Sequence, residues 1–279
     1  MSAGGGSRIL GASGIRGVRL AVLSTVVFFG ALGLLIVNSP GWSAPNGVRA
    51  QFFDGLVFAD ALPKIVEKFG RNVAMFLIAE VVILVLGLGI ALLRSLPGPV
   101  FTPLRILAAA YTDFFRGVPT ILVIALLGYG MPALALRGLP NSDFFWAIVA
   151  LSLVYAAYVS EVYRAGIQSI HPSQLAAARS LGLRRWQATR YVVLPQAVRR
   201  ILPPLLNDFI GLQKDTALVA FLGVIEALRQ ATILQQSLFN FTPYVALAVV
   251  FVLITIPQAR FVDWLVARDQ RRREAGAVL

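Results

Sequence analysis

Residues 172–197 read PSQLAAARSLGLRRWQATRYVVLPQA, an Ala-rich, Arg-studded stretch set between segments apolar enough to lie in lipid. Gly182 takes without strain the left-handed turn that ends a helix, and the Leu194-Pro195 step suits the opening of the next one. The stretch therefore predicts a short surface helix from Pro172, a turn at Gly182, and a second helix entering the membrane. Leu175, Ala178 and Leu181 recur at a three-residue step and form an expected apolar face, with Arg179, Arg184 and Arg185 around it. A surface so shaped is suited to presentation to another protein, provided the rest of the chain is membrane-bound.

Composition says that it is. Hydrophobic residues make up 58% of the 279 and charged residues 14%, with a mean hydropathy of +0.77, whereas soluble domains are about 45–50% apolar. The bilayer is the solvent such a chain requires. The absence of cysteine excludes disulfides, thiolate nucleophiles and Cys metal sites, and the single histidine, His171, excludes a His cluster and reads as a loop residue before Pro172. Gly87-x-Gly89 lies inside an apolar run and reads as helix packing; a phosphate-cradling loop ending in Lys-Ser/Thr is lacking. No catalytic constellation emerges, so the chain is not expected to be an enzyme or to bind a cofactor directly. A net charge of +12 invites a nucleic-acid reading. The charges nevertheless fall between apolar runs, as membrane loops place them, and nucleic acid is not an expected partner.

Taken in order, residues 1–17 are Gly- and Ser-rich with Arg8 and Arg16, the composition of a flexible tail. Residues 18–37 are long enough to span and lack a cleavage signal, so they predict a retained membrane helix. Residues 38–70, with Asp54, Asp60, Lys64, Glu67 and Lys68, predict an external loop carrying a surface-lying helix over 61–69. A second span over 72–93 ends at Arg94 and Pro97-Gly98-Pro99. Residues 102–115 predict an interfacial elbow, bent at Arg116-Gly117 and Pro119 into a third span over 117–136. Further spans are expected over 144–160, 196–228 and 244–262, followed by a basic tail over 267–279.

The expected fold is thus an all-α membrane protein of about six transmembrane helices, with both termini on one side. Eighteen Lys and Arg residues share the side of the 172–197 stretch, against six on the other, namely Arg49, Lys64, Lys68, Arg71, Arg137 and Arg229. The bias places that stretch and both termini in the cytoplasm.

A charge at the bilayer centre costs at least about 2.5–3.5 kcal/mol, so ionisable residues within spans are candidates for function. Glu80 lies inside the second span. Asp208 falls thirteen residues beyond Pro195, roughly 19 Å along a helix, and Asn207, Lys214, Asp215 and Thr216 cluster near it. Two readings fit them: a polar lining for a solute carrying ammonium and carboxylate groups, or mutual neutralisation through Lys214 with Asp215 or Asp208 with an arginine. Glu161 and Arg164, three apart, are placed to pair with each other.

The 172–197 stretch resembles the cytoplasmic EAA loop of permease subunits in binding-protein-dependent ABC importers, E-A-A, three residues, G, nine residues, I-x-L-P. That frame falls on Ala176-Ala177-Ala178, Gly182 and Val192-Val193-Leu194-Pro195, with the glycine and the Leu-Pro in register. More narrowly, the chain is similar to the polar amino acid permease family in Phe115-Arg116-Gly117-Val118-Pro119, Glu161-Val162-Tyr163-Arg164-Ala165-Gly166-Ile167, Leu194-Pro195-Gln196-Ala197 and Lys214-Asp215-Thr216-Ala217-Leu218. The sequence departs from the motif at its glutamate, here Ala176, and at the preceding glycine, here Ser173.

The resemblance implies a type I ABC importer permease domain of five helices over 71–266, with a coupling loop over 170–195, preceded by one extra helix. It implies that Ala176, Ala177, Ala178, Arg179, Leu181, Gly182, Leu183 and Arg184 seat in a groove of an ATP-binding subunit. It further implies a dimer of ATPase subunits holding ATP and Mg, a second permease copy or homologue, an extracytoplasmic binding protein, and a polar amino acid passing Glu80, Asn207, Asp208, Lys214, Asp215 and Thr216. The implied location is the bacterial inner membrane. A stand-alone ion-coupled carrier is the rival reading, and no duplicated half supports it.

Overall fold

The computed structural model describes residues 15–277, with side chains for 19–269 and for Arg271. Among the described residues every regular element is helical. The expected tail over 1–17 lies outside them as far as residue 14, and 15–17 already belong to the first helix.

Helix α1, Ile15–Val37, is predominantly apolar beyond Arg19 and stands clear of the buried core, packing against the short α2, Pro40–Ser43. With its side chains exposed on every face from residue 20 to residue 37, its natural neighbour is lipid. After α3, Val48–Phe52, comes α4, Gly55–Arg94, a single helix of 40 residues, about 60 Å long at 1.5 Å per residue.

This corrects the expectation of an external loop over 38–70 with a separate helix over 61–69. Asp54 caps α4, its carboxylate accepting from Leu56 N at 2.9 Å and Val57 N at 3.1 Å. From there Ala61, Ile65, Phe69, Asn72 and Phe76 form a buried stripe at three- and four-residue steps. The charges that suggested a loop occupy the opposite face, where Lys64 pairs with Asp60 at 2.7 Å. Solvent-facing charge on one side and a covered stripe on the other are compatible with one unbroken helix.

Helix α5, Thr102–Gly117, turns by 101° into α6, Thr120–Ala133, at Val118-Pro119, where the elbow was expected. Helix α6 alone is 14 residues, about 21 Å, shorter than the roughly 30 Å hydrocarbon core. Helix α7, Asp143–Gln168, outruns the expected span by two turns. The 172–197 region forms α8, Pro172–Ser180, α9, Arg185–Ala188, and a π-helical turn, Thr189–Val193, that runs on into α10, Leu194–Asp215.

Leu194-Pro195 therefore opens the α-helical stretch of α10, as expected, although the π turn before it joins on without a break. Proline lacks the N–H for the bond back to residue 191 and its ring crowds that carbonyl; widening the preceding turn to the π pattern accommodates both. A 3-10 segment, Thr216–Leu222, follows, then α11, Ala227–Leu238, at 50° to the preceding helix, and α12, Thr242–Ala277. The expected basic tail is thus a continuation of the last helix as far as Ala277.

Among the described residues four unbroken helices are long and apolar enough to cross a membrane, and the two bent pairs, each taken as one span, bring the number to six. Helices α4 and α7 form the spine. Met75, Ala79 and Ile83 pack with Ala147, Leu151 and Val154, and Val123, Leu212 and Val219 close the cluster. Gly87 admits Val159 so closely that an added Cβ would stand 2.9 Å from its Cγ1, the close approach that small residues permit in membranes. The first half of α4 packs separately against Ala227, Ala231, Ala246 and Val250 of α11 and α12.

Candidate functional site

The coupling surface is built by local chain chemistry. His171 caps α8, its Nδ1 accepting from Ser173 N at 3.2 Å, a role its reading as a plain loop residue missed. At the other end Gly182 adopts φ +83°. Leu183 N donates to Ala178 O at 3.3 Å and Gly182 N to Arg179 O at 3.0 Å, the double bond pattern of a Schellman motif. The reversal tucks Leu183, half-buried, under buried Ala178, whereas Leu181 is 84% exposed. Leu181 therefore parts from Leu175 and Ala178, the other members of the expected apolar face, and projects outward. The chain turns at Gly182, and Leu183 takes the inner place. Ala176, Ala177, Arg179, Leu181 and Arg184 are left facing out, a slim surface with an apolar tip and positive edges.

Inside the bundle, the polar residues of α10 separate onto two faces. Asp208, Gly211 and Asp215 face α7: the Tyr155 hydroxyl donates to Asp215 Oδ2 at 2.9 Å, and a Cβ on Gly211 would meet that hydroxyl at 3.2 Å. Glu80, half-buried on α4, stands near enough to Asp208 for the two charges to repel. Asp208 Oδ2 is buried without a hydrogen-bond partner. Asn207 and Lys214, seven residues apart, are exposed on the neighbouring face. Among the described residues no contact ion pair joins Lys214 to Asp215 or Asp208 to an arginine, although the Lys214 charge still acts on the Asp215 carboxylate from a distance. Aromatic contacts extend the acidic face toward the α5–α6 bend, with Tyr155 and Tyr158 rings 6.1 Å apart and the Arg116 guanidinium 5.8 Å above the Tyr158 ring. Tyr155 and Tyr158 were missed; tyrosines well inside a span, away from the interfacial belts, were the available signal.

Thr216 stands elsewhere. Its buried hydroxyl accepts from Asn72 Nδ2 at 3.1 Å and donates to Gln213 O at 2.7 Å. It belongs to a buried knot with Asn72 and Glu226 that secures the start of α11. Glu161 does pair with Arg164, at 2.5 Å, and also with Arg94 at the end of α4, tying the two spine helices together.

A broken-helix bundle with a capped surface helix beside it defines a membrane permease of the type I importer fold, and comparison with known proteins places it. The family of binding-protein-dependent transport system inner membrane components matches residues 100–271. The chain belongs to this family and is a multi-pass inner membrane protein.

It is 36% identical to the probable amino-acid permease protein YxeN of Bacillus subtilis (strain 168), over 70% of this chain and 87% of that one. It is 32% identical to the arginine transport system permease protein ArtQ of the same organism, over 70% and 88%. A crystal structure of an amino acid ABC transporter with histidines superposes with a TM-score of 0.69 at 31% identity, over 77% of this chain and 98% of that one. The resemblance read from the motifs, to the polar amino acid permeases of ABC importers, is borne out by these relatives.

Proposed function

We propose that this chain forms half of the path by which a polar amino acid enters the cell, and that α8 with its Gly182 turn transmits the stroke of a partner ATPase. The observation that carries the path is the buried Asp208 carboxylate oxygen left without a partner inside the bundle, with half-buried Glu80 of a separate helix within electrostatic reach. A buried acceptor without a donor costs about 1–3 kcal/mol or more when charged, a cost that a passing ammonium group relieves. Tyr155 and Asp215 position that face. Asn207 and Lys214, exposed on the adjoining face of α10, are set to meet the substrate carboxylate or the second permease across the path.

Both termini and α8 lie in the cytoplasm on this reading, as the distribution of arginine supports. A dimer of ATP-binding subunits, holding ATP and Mg, docks on residues 176–184, and an extracytoplasmic binding protein delivers the substrate. Alternating access follows from moving the two coupling helices together.

Reconstitution in liposomes with the ATP-binding partner, the binding protein and labelled amino acids tests the reading. ATP-dependent uptake is expected; uptake by the chain alone, driven by a proton gradient and indifferent to ATP, would sink it. In the complete system, Asp208→Ala and Lys214→Ala are each expected to lower uptake about tenfold or more, the scale of a lost charged hydrogen bond, with assembly unchanged. Asp208→Asn is expected to lower uptake while leaving Tm unchanged or raised, since it removes an unpaired charge. Unaltered transport in all three assigns these residues to packing.

A further inference from the structure

Where the first half of α10 passes the last part of α12, a cavity of about 240 Å³ opens between Arg199, Leu202, Pro203, Leu265, Arg268 and Asp269. Its volume is several times the share of one water molecule in the liquid, about 30 Å³. Leu202, Pro203 and Leu265 make the floor apolar, and Arg199 and Arg268 stand exposed at the rim. Neither arginine has an ion-pair partner among the described residues.

Exposed Trp264 extends the site along α12. The Arg268 guanidinium lies 5.2 Å from its ring, and Phe261 stacks on the other side of the turn at 5.9 Å. The arrangement is that of an interfacial belt, aromatic rings at headgroup depth with cations beside them. Asp269 shares the rim, so the two arginines leave the site net positive by one charge. The surrounding charge reinforces this: between Glu161 and Asp208 the chain has seven arginines and no acidic residue.

We propose that this cavity is a binding site for an anionic phospholipid of the leaflet facing α8. The phosphodiester sits between Arg199 and Arg268, and an acyl chain runs down the Leu202, Pro203 and Leu265 floor between the two helices. Three features select a lipid over a soluble anion: the apolar floor, the adjoining Trp264 and Phe261, and a position at the membrane end of two spanning helices. A basic pocket between transmembrane helices is a recognised geometry for acidic headgroups. Occupancy wedges the coupling-side end of α10 against α12, so transport activity becomes sensitive to the charge of the membrane. This goes beyond the proposed transport role, because the site lies outside the acidic face of α10 and involves no substrate.

The test uses the full chain in detergent and native mass spectrometry to follow retained lipid during titration with phosphatidylglycerol or phosphatidylcholine. Selective retention of phosphatidylglycerol is expected, with about a thirtyfold loss of apparent affinity in the Arg199→Gln/Arg268→Gln double variant, since each basic residue at an anionic surface contributes on the order of fivefold. A second measurement does not depend on the variant folding: brominated phosphatidylglycerol should quench wild-type tryptophan fluorescence, and Trp264→Phe should remove most of that quenching. Equal retention of the two lipids, undiminished binding by the double variant, or quenching unaffected by Trp264→Phe overturns the proposal. Displacement of phosphatidylglycerol by millimolar inorganic phosphate or glycerol 3-phosphate would mark a soluble-anion site and equally overturn it. So would a change of oligomeric mass in the double variant, which would assign the groove to contact between copies.

Discussion

Gly182→Asp is expected to abolish capture of the ATP-binding subunit in a pull-down while the variant still inserts and folds in the membrane. An added Cβ meets nothing within 4 Å, so no clash with the chain itself limits the substitution. Two other costs act. The φ of +83° belongs to the left-handed region, which disfavours residues other than glycine by about 1–2 kcal/mol, somewhat less for Asp. The second cost arises only in the complex, where a carboxylate at the turn must lose water against the partner. Burying such a charge without a dedicated partner costs several kcal/mol, which corresponds to a fall in affinity of a hundredfold or more.

Gly182→Ala separates the two, since it carries only the backbone cost and should weaken docking about tenfold. The gradation glycine, alanine, aspartate is the signature of docking by shape, and it suits a surface where Ala176 stands in place of the motif's glutamate. Docking undiminished in both variants would place the interface elsewhere on the cytoplasmic face.

Elements with strong local signals were legible in the sequence. The elbow at Gly117 to Pro119 and the turn at Gly182 rest on residues whose backbone preferences are distinctive, proline for its fixed φ and glycine for its freedom at positive φ, and both stand where expected. Misreadings came where one signal admits two structures. The charges of residues 54–68 suit an exposed loop and also the wet face of a helix, and only the tertiary partners Ala227, Ala231 and Ala246 decide for the helix. Pro195 does stand in the first turn of α10, but the π turn that joins it to the preceding residues is a feature that local sequence does not announce.

For the candidate site, Glu80 and Asp208 were recognisable as charges in spans, and their meeting is a product of packing. The sorting of Asp215 onto Tyr155 and of Thr216 onto Asn72 depends on contacts 60 and 144 residues apart in sequence. The same spacing hid the third partner of the Glu161 pair, Arg94, 67 residues away.

The largest loss of stability is expected from Glu226→Ala. Between the 3-10 segment and α11 the chain leaves the helical pattern inside the membrane region, and such backbone is tolerated only where its polar groups are satisfied by protein. Glu226, with 0% of its surface exposed, satisfies them. Its carboxylate accepts from Leu228 N at 2.9 Å, Arg229 N at 2.7 Å and Asn72 Nδ2 at 2.8 Å.

Asn72 Oδ1 in turn accepts from Ala227 N at 3.1 Å, and Arg71 Nη1 donates to Ile225 O at 2.9 Å. Arg71 and Asn72 of α4 thereby hold Ile225, Glu226 and Ala227, while Gly223 N and Glu226 N bond within the break itself. Removing the carboxylate strips the cap of α11 and leaves buried donors unpaired, at about 1 kcal/mol for the cap and 1–3 kcal/mol for each orphaned group. A destabilisation of roughly 3–5 kcal/mol follows, or a fall in Tm of the order of 10 °C in detergent.

Asn72→Ala should cost somewhat less. The double variant should fall short of the sum of the singles, because both remove the same bonds. Lys64→Ala, which breaks an exposed pair, should cost under about 0.5 kcal/mol. A Glu226→Ala protein with unchanged Tm would mean that the break is secured by the packing of Ala227 and Ala231 alone. The contrast with Asp208 separates the roles of two intramembrane carboxylates: Glu226 is fully bonded, and its loss should be read in stability, whereas Asp208 keeps an unpaired oxygen, and its loss should be read in transport.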